Sequence, residues 1–242
     1  MYALITGTTN GIGKSIARKL LYKNLKLVGI DKKKHNNFNH KNFYSIKLDI
    51  LNKNSVLNCI KQLKKNKKIP KYFILSAGIN VYDNDKKFDL EKFKKCFDIN
   101  FFGVMNFVDA IEKLNIKGRK ILSISSTSNI IPNPKALGYY SSKVLLKKNF
   151  KILNSNRTND YKVIILGPVK TKISRKLKKP SGLAGMIYKT IQISAEKAAD
   201  KIIYFMSSSK KTLHVTYFAT IIYYLIKFLL IFIPSLYMKN KN

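Results

Sequence analysis

Tyr139 and Lys143, four residues apart, are the side chains of this sequence best suited to move a proton. On a helix, residues at this spacing project from one face, so the phenol and the ammonium would lie one turn apart. A free tyrosine has a pKa of about 10, and a neighbouring cation lowers that pKa by favouring the phenolate. The pair therefore predicts a phenol that exchanges its proton near neutral pH. The alternative is a core tyrosine beside a solvated lysine.

A short strand and a helix must position this pair. Residues 121–125 read as a buried strand, and the hydroxyl of Ser126 follows directly. Two prolines and a glycine come next, and an apolar-periodic helix begins near Leu137. The strand thus ends at Ser126, and the helix that follows carries Tyr139 and Lys143.

A glycine-rich turn near the start of the chain predicts a phosphate-binding site. An apolar strand at residues 2–5 runs into this turn and an amphipathic helix follows, so we expect no secretory signal ahead of the fold. Glycines let the backbone approach a pyrophosphate, and the N–H groups at a helix start point at the anion. A purely structural turn is the alternative. The residues expected to line the site are Gly7, Thr9, Asn10, Gly11, Ile12 and Gly13.

Asp31 ends a second predicted strand, eighteen residues beyond Gly13. An acidic side chain there can accept hydrogen bonds from the ribose hydroxyls of a dinucleotide and repel a 2′-phosphate, which favours NAD. Three lysines at residues 32–34 follow at once and could offset that repulsion, so NADP stays open. The structural alternative for Asp31 is a turn residue.

These patterns together resemble the short-chain dehydrogenase/reductase family. The Tyr-x-x-x-Lys pair, the serine thirteen positions before it and the Gly-x-x-x-Gly-x-Gly turn are marks of that family, and further marks follow in family order over residues 2–207. The resemblance implies an α/β fold of one domain, a doubly wound parallel sheet of the Rossmann type. Residues 1–212 would form the NAD(P)-binding domain, and residues 213–242 a last strand and an apolar C-terminal helix that extend it.

The resemblance also implies a catalytic role for four residues. Tyr139 would be the general acid in reduction and the base in oxidation, and Ser126 would orient the substrate oxygen. Lys143 would lower the pKa of the phenol and bind the nicotinamide ribose. Asn100 lies in an Asn-x-x-Gly segment within an apolar helix pattern, and it would complete a proton relay. The structural alternative for Asn100 is a solvent-facing amide.

Further cofactor contacts follow from the same resemblance, although three positions depart from the family pattern. Leu75 and Ser76 stand where the family has two asparagines that stabilise the central sheet, and Leu166 stands where it has a proline. The additional residues implied to contact the adenine, the central turn and the nicotinamide are Asp49, Ile50, Ala77, Gly78, Val169 and Thr171, besides Tyr139 and Lys143.

The implied function is hydride transfer between NAD, or NADP, and a small carbonyl or alcohol substrate. An apolar helix beside the cleft hints at a lipid-like or acyl substrate, while sugars, steroids and small ketones stay open. A basic stretch at residues 172–182 reads as a flap with Gly182 and Gly185 as hinges. The alternative is a non-catalytic NAD(P)-binding sensor or membrane-associated scaffold. That alternative predicts an incomplete catalytic set, whereas all four residues are present.

Charge and composition exclude other classes of function. The formal charge is +35, but the lysines are scattered and no nucleic-acid-binding motif accompanies them, so we expect no specific nucleic-acid partner. The two cysteines and three histidines show no metal-ligand spacing, which predicts no metal site. A cytoplasmic homo-oligomer, a dimer or a tetramer, fits this composition and the resemblance.

The carboxyl end is a long apolar segment. Residues 215–233 contain Lys227 as their only charge, which meets the length rule for a membrane span. The last strand of the family would take up the first residues of this apolar segment and leave fewer for a span. A central lysine disfavours a span by about 2.5–3.5 kcal/mol. Tyrosines and flanking lysines suit a helix at the lipid interface, so peripheral membrane contact and packing against a second subunit remain equal alternatives.

Overall fold

The structure, a computed structural model, describes residues 1–33, 38–82, 88–127, 134–155, 158–171, 174 and 182–232. Three features named above lie outside these residues: Lys34, most of the expected flap, and residues 233–242 at the carboxyl end. All the predicted site residues lie within the described part of the chain.

Strands and helices alternate along the chain, as the sequence predicts. The strands are β1 (Tyr2–Thr6), β2 (Lys26–Asp31), β3 (Phe43–Lys47), β4 (Tyr72–Leu75), β5 (Lys120–Ser126), β6 (Asp160–Leu166), β7 (Val169–Lys170), β8 (Ile193–Ser194) and β9 (Thr212–His214). The helices are α1 (Gly11–Tyr22), α2 (Lys53–Lys65), α3 (Leu90–Phe97), α4 (Gly103–Lys113), α5 (Leu137–Leu153), α6 (Gly182–Ile191), α7 (Ala195–Ser207) and α8 (Tyr217–Phe232).

Within the described residues, seven strands form one parallel sheet in the order β3-β2-β1-β4-β5-β6-β9. The order reverses between β1 and β4, because the chain moves first to one side of β1 and then to the other. In such a sheet the loops at the carboxyl ends of the strands separate at the reversal and leave a crevice. The expected doubly wound parallel sheet is confirmed, and β7 pairs with β8 in a small second sheet.

Helices cover both faces of the sheet, so its central strands are buried on both sides. In β1, Leu4 packs with α2, α4 and α5, whereas Ala3 and Ile5 pack with α1 and α7 on the opposite face. A strand between two helical layers has apolar residues on both faces, which explains its continuous apolar run.

The sequence predicts N-caps at Asp89 and Ser194, each before an apolar-periodic helix, and both are confirmed, whereas the bounds of the last strand differ from the expectation. Asp89 and Ser194 accept hydrogen bonds from main-chain N–H groups in the first turns of α3 and α7. The family pattern predicts the last strand near residues 213–217, whereas β9 spans Thr212–His214. Leu166 ends β6 and takes the place of the family's proline. Gly185 lies inside α6 and Gly182 has a φ of +58° at the start of that helix, so the two hinges stay predictions.

Candidate active site

Asn100 lies in a single π-helical turn, Asp98–Phe102, which joins α3 to α4. Its side chain is fully buried and clamps the main chain of Ile79 in the loop after β4. The Asn100 Nδ2 donates to the Ile79 carbonyl at 2.9 Å, and the Ile79 N–H donates to Oδ1 at 2.8 Å. Single π-turns inside α-helices recur at functional sites. Asn100 is therefore not the solvent-facing amide considered as an alternative.

Gly78 allows Asn100 and Lys143 to approach each other. A Cβ atom on Gly78 would lie 2.9 Å from Asn100 Oδ1 and 3.7 Å from Lys143 Nζ, too close to the first and in contact with the second. The loop after β4, the π-turn and α5 thus meet at one point. Ala77, beside it, donates its N–H to the Thr6 hydroxyl at 3.0 Å.

Lys143 is held against the end of β5 by its side chain and by its main chain. Its Nζ donates to the carbonyl of Ile124 at 2.8 Å, and the hydroxyl of Ser125 donates to the carbonyl of Lys143 at 2.9 Å. Only 5% of Lys143 is exposed. Because burial disfavours the charged form, it lowers the pKa of the Lys143 ammonium to about 8.

Tyr139 and Ser126, two of the residues that the family resemblance implies for catalysis, are hydrogen-bonded to each other. Lys143 Nζ lies 5.5 Å from the centroid of the Tyr139 ring. Burial raises the pKa of the Tyr139 phenol to about 12, and the hydrogen bond with Ser126 only partly opposes that rise. The expectation of a pKa lowered by Lys143 is wrong for the folded chain, because the phenolate would lose its hydration and the neighbouring ammonium is itself disfavoured by burial.

The glycine-rich turn has the geometry of an anion-binding helix start. Gly7 and Gly11 have φ values of +76° and +59°, which favour glycine, and a Cβ on Gly13 would collide with the carbonyl of Gly7. Asn10 occupies the N-cap of α1, yet its side chain makes no capping hydrogen bond and bonds to Thr9 instead. The first N–H groups of α1 are thus left for a ligand, and the cradle fits a dinucleotide diphosphate.

Thr171 lies across from this turn. A Cβ on Gly11 would be 3.7 Å from the Thr171 methyl group, so the end of β7 and the start of α1 face each other at contact distance. Thr171 and Ser174 exchange hydrogen bonds between their main-chain N–H groups and hydroxyls. Val169 is 5% exposed and pairs with Ile193.

Asp31 and Asp49 lie at the carboxyl ends of β2 and β3, and each has a protein partner. The Asp31 Oδ2 accepts hydrogen bonds from the N–H and the hydroxyl of Thr9, at 3.2 and 2.8 Å. Asp49 Oδ2 pairs with Lys32 Nζ at 2.7 Å, and this hydrogen bond lowers the pKa of the Asp49 carboxyl. Lys32, which the sequence left as a partner for a 2′-phosphate, is thus paired with a carboxylate.

Ile50 and Ile12, predicted to contact the cofactor, lie at the border of the core. Ile50 is 9% exposed, and a Cβ on Gly103 of α4 would lie 2.5 Å from its Cδ1, so its side chain fills the space that this glycine leaves. Its carbonyl accepts a hydrogen bond from Asn106 at 2.9 Å. Ile12 is partly buried and packs against the core on the α1 face.

Ser76 replaces a family asparagine without loss of the contact between strands. Its hydroxyl donates to the carbonyl of Thr6, and this bond ties the end of β4 to the end of β1. A Cβ on Gly13 would also contact the Ser76 hydroxyl at 2.6 Å. The small serine therefore suits the close packing of α1 over this junction.

Three tyrosines that sequence reasoning missed interact with one another or with residues next to the Tyr139–Ser126 pair. Tyr223 of α8 is hydrogen-bonded to Thr127, the residue after Ser126. Tyr188 of α6 is close enough to raise the pKa of both Tyr223 and Tyr82, in each case after the larger effect of burial. Tyrosine is common in this chain, and no spacing relates the three positions, so no sequence signal could have identified them.

Asn80 carries an unused acceptor in the same region. Its Nδ2 donates to the Tyr82 hydroxyl at 2.8 Å. Its Oδ1 is buried and has no hydrogen-bond partner among the described residues. Buried polar atoms are rarely left unpaired, so this oxygen marks a place where a ligand can donate a hydrogen bond.

The sequence of this chain is similar to proteins of a known family. A family model described as short chain dehydrogenase matches residues 1–182. The chain is 26% identical over 219 residues to the NADPH-dependent 3-dehydrocapnine reductase of Ornithobacterium rhinotracheale. The matched region covers 83% of this chain and 77% of that protein. It is 26% identical over 237 residues to a 3-oxoacyl-[acyl-carrier-protein] reductase of Buchnera aphidicola subsp. Schizaphis graminum, with 88% and 94% covered.

Solved structures share the fold at lower identity. A short chain dehydrogenase from Burkholderia cenocepacia in complex with NADP has a TM-score of 0.70 and 18% identity, with 88% of this chain and 87% of that chain covered. The ligand-free aldohexose dehydrogenase of Thermoplasma acidophilum has a TM-score of 0.72 and 19% identity, with 88% and 91% covered. At these identities the likeness is evidence for the fold.

Proposed function

The chain belongs to the short-chain dehydrogenase family, and from that premise we propose that Tyr139 is the acid and base of its hydride-transfer reaction. Like the rest of the family, the chain is an NAD(P)-dependent oxidoreductase. The observation that carries the proposal is the hydrogen bond between Tyr139 and Ser126, formed beside the buried Lys143. A bound nicotinamide would supply the hydride to a carbonyl carbon, or accept it from an alcohol.

The residues at the carboxyl ends of the strands are suited to hold the cofactor. The uncapped start of α1 and the cradle around Gly13 would hold the diphosphate. Asp31 and Asp49 would face the adenosine, and Val169 and Thr171 the nicotinamide. The short distance between Gly11 and Thr171 supports this placement. It brings the residues proposed for the diphosphate next to those proposed for the nicotinamide, so that one dinucleotide could contact both.

We propose carbonyl reduction because the Tyr139 phenol is protonated near neutral pH. The Ser126 hydroxyl would donate a hydrogen bond to the substrate oxygen, and Tyr139 would transfer its proton to that oxygen as the hydride reaches the carbon. Burial raises the pKa of the Tyr139 phenol, so the phenol holds its proton at neutral pH until charge develops on the substrate oxygen. The same shift disfavours the phenolate that alcohol oxidation needs, and it therefore supports carbonyl reduction as the direction that we propose near neutral pH.

Lys143 and Asn100 would return a proton to Tyr139. Lys143 Nζ lies beside the ring, and a Cβ on Gly78 would contact both Nζ and Asn100 Oδ1. An ammonium with a pKa of about 8 can both release and regain a proton near neutral pH. The clamp of Asn100 on Ile79 keeps this group of side chains in place during turnover.

The contacts of Asp31 support NAD as the cofactor. Its carboxylate is fixed by Thr9 at the end of β2, where it would repel a 2′-phosphate. Lys32 is paired with Asp49 at 2.7 Å, so its charge offsets that repulsion less than the sequence alone indicates. We therefore propose NADH in preference to NADPH.

Asp31→Ser should shift this preference towards NADPH by about tenfold or more, measured as the ratio of the two kcat/KM values. The variant removes a negative charge facing the 2′ position and an acceptor for the ribose hydroxyls, each worth about 1 kcal/mol or more. Thr9→Ala is the matched control, because it loosens the turn but keeps the carboxylate. It should weaken both cofactors alike, and an unchanged ratio for Asp31→Ser would contradict the role of the charge.

A lipid-like or acyl carbonyl compound is the proposed substrate. The three tyrosines near Tyr139 and Ser126, namely Tyr82, Tyr188 and Tyr223, support an apolar substrate, and Asn80 Oδ1 offers one polar contact. The relatives named as reductases of 3-dehydrocapnine and of a 3-oxoacyl group agree with carbonyl reduction.

A cofactor and substrate screen tests this function. NADH should raise the melting temperature of the chain by ligand linkage, and 3-oxoacyl thioesters should be reduced with NADH faster than small sugars or steroids. Stabilisation by NADH without reduction of any carbonyl compound would instead favour the non-catalytic sensor. If NADH neither stabilises the chain nor supports reduction of a carbonyl compound, both the enzyme and the sensor hypotheses are contradicted.

We propose that the chain forms a homodimer or a homotetramer and that it works in the cytoplasm. Exposed apolar side chains on α3 and α5 support the oligomer. Phe88 and Phe102 are 60% and 51% exposed and belong to a series of contacting phenylalanine rings along α3 and the π-turn. Ile152 of α5 is 69% exposed. Sedimentation of the purified chain would measure the oligomeric state.

A further inference from the structure

α8 has two faces of different character. Its inner face belongs to the fold: Ala219 is fully buried, Thr220 is 5% exposed, and Tyr223 reaches Thr127 beside the active site. Its outer face is solvent-exposed over more than two turns. The large side chains on it are Tyr217 (64%), Phe218 (77%), Ile221 (39%), Tyr224 (45%), Leu225 (57%) and Phe228 (58%).

The six exposed side chains form one continuous stripe, here called the outer arc. At about 100° per residue they fall within an arc of about 120°, and each of them is aliphatic or aromatic. Scattered single apolar residues are normal on a protein surface, but a contiguous patch marks an interaction site. Something other than water is therefore expected to cover the outer arc.

The described segment that leads into α8 is basic. Residues 201–216 contain three lysines and neither aspartate nor glutamate. Lys201 donates from Nζ to the carbonyl of Val215 at 2.8 Å, just before α8 begins. Lys147 and Lys151 of α5 act on His214, where they lower the pKa of the imidazole in addition to the larger effect of burial. The chain as a whole carries +35.

This charge decides between the two surfaces that could cover the outer arc. A second copy would carry the same formal charge of +35, so like charges would oppose the contact. A lipid surface with anionic headgroups would attract this charge, and each nearby lysine contributes about 1 kcal/mol to such binding. We propose that α8 docks this chain onto an anionic lipid bilayer, with the outer arc immersed at the level of the headgroups.

The geometry of α8 fits a helix that lies along a membrane. Among the described residues no helix is both long and apolar enough to cross a bilayer. The sixteen residues of α8 extend about 24 Å, and an apolar stripe opposite a protein-bound face is the arrangement of an interfacial helix. Docking would place the candidate active site near the lipid, because Tyr223 of α8 is hydrogen-bonded to Thr127, the residue after Ser126. This consequence for substrate access rests on the proposed function, whereas docking itself does not.

Co-sedimentation with vesicles tests the proposal. The full chain should bind vesicles of phosphatidylcholine with phosphatidylserine much more strongly than phosphatidylcholine alone, and added salt should weaken that binding. Phe218→Ser combined with Leu225→Ser should lower the partition coefficient about tenfold or more, because two large apolar side chains leave the lipid. Tyr22→Ser combined with Tyr44→Ser, exposed tyrosines elsewhere, is the matched control and should bind like the wild type.

NADH-induced thermal stabilisation and sedimentation of the same variants distinguish the remaining outcomes. Retained stabilisation by NADH shows that the fold and cofactor site are intact, and Phe228→Ser alone serves as a milder variant. Equal vesicle binding by the arc variant and the wild type, or no binding by the wild type, would overturn the proposal. A change of oligomeric state in the arc variant without any lipid binding would identify the outer arc as a subunit interface, which would overturn it as well.

Discussion

Tyr139→Phe is expected to reduce turnover by a factor of about 10²–10⁴ while leaving cofactor binding intact. Positioned general acids contribute about this much, and the substitution removes only the hydroxyl that donates the proton. The ring, its packing and the neighbouring Lys143 stay in place. Steady-state rates with NADH and a carbonyl substrate from the screen measure the loss, and NADH-induced thermal stabilisation measures the cofactor binding that should be retained.

Tyr140 offers a matched control, since it is the same residue type at the next position of α5 and is likewise half-buried. Tyr140→Phe should keep turnover within about twofold of the wild type, because Tyr139 is the residue that meets Ser126. A wild-type rate in Tyr139→Phe would show that the proton comes from elsewhere. If the two variants exchanged their behaviour, the register of the catalytic tyrosine would be wrong by one residue.

Lys143→Met is expected to lower turnover about a hundredfold and to remove a rise of folding stability with pH. The pKa of Lys143 is lowered from 10.5 to about 8 by burial. Between these values the unfolded chain holds a proton that the folded chain has released, so the free energy of unfolding rises with pH. The slope approaches about 1.4 kcal/mol per pH unit above pH 8, and below pH 8 both states are protonated and the contribution is constant.

Urea unfolding of the wild type and Lys143→Met between about pH 8 and pH 9 measures this difference. Above pH 9 the Cys59 thiol acts in the opposite direction, because burial raises its pKa in the folded chain to about 11. Methionine leaves the carbonyl of Ile124 without its donor, at a cost of about 1–3 kcal/mol, so the slope is decisive and the absolute stability is not. Lys148→Met, on the exposed side of α5, should keep the wild-type slope. The same slope in all three proteins would contradict the lowered pKa of Lys143.

The fold could be predicted because local patterns agree with the global arrangement. Each strand carries an apolar run, each helix an apolar stripe, and each turn the residues that its backbone needs. The caps at Asp89 and Ser194 and the helix start near Leu137 were predicted within a residue of where they lie. A parallel sheet then brings all the strand ends to one edge, so Ser126 and Asp31 had to lie on the same side of the molecule.

The electrostatics of the site could not be predicted in this way. The spacing of Tyr139 and Lys143 fixes their proximity and indicates a lowered pKa for the phenol, whereas the folded chain raises it. Burial removes hydration from both groups, and hydration depends on every element packed around them rather than on a pair of residues. Likewise, the pairing of Lys32 with Asp49 depends on the adjacent ends of two strands.

The sequence by itself determined the strands and helices of the doubly wound sheet and the glycine-rich turn, because these follow from periodicity and spacing along the chain, and the four residues proposed for catalysis came from the family resemblance. Only the tertiary structure decided the burial that raises the pKa of Tyr139, the hydrogen bonds of Asn100 with Ile79 and the contact of Tyr223 with Thr127. It also decided which stripe of α8 faces outward. These features arise from residues distant in sequence that share one buried volume, and the solvent that each of them loses can be known only when all the elements are in place.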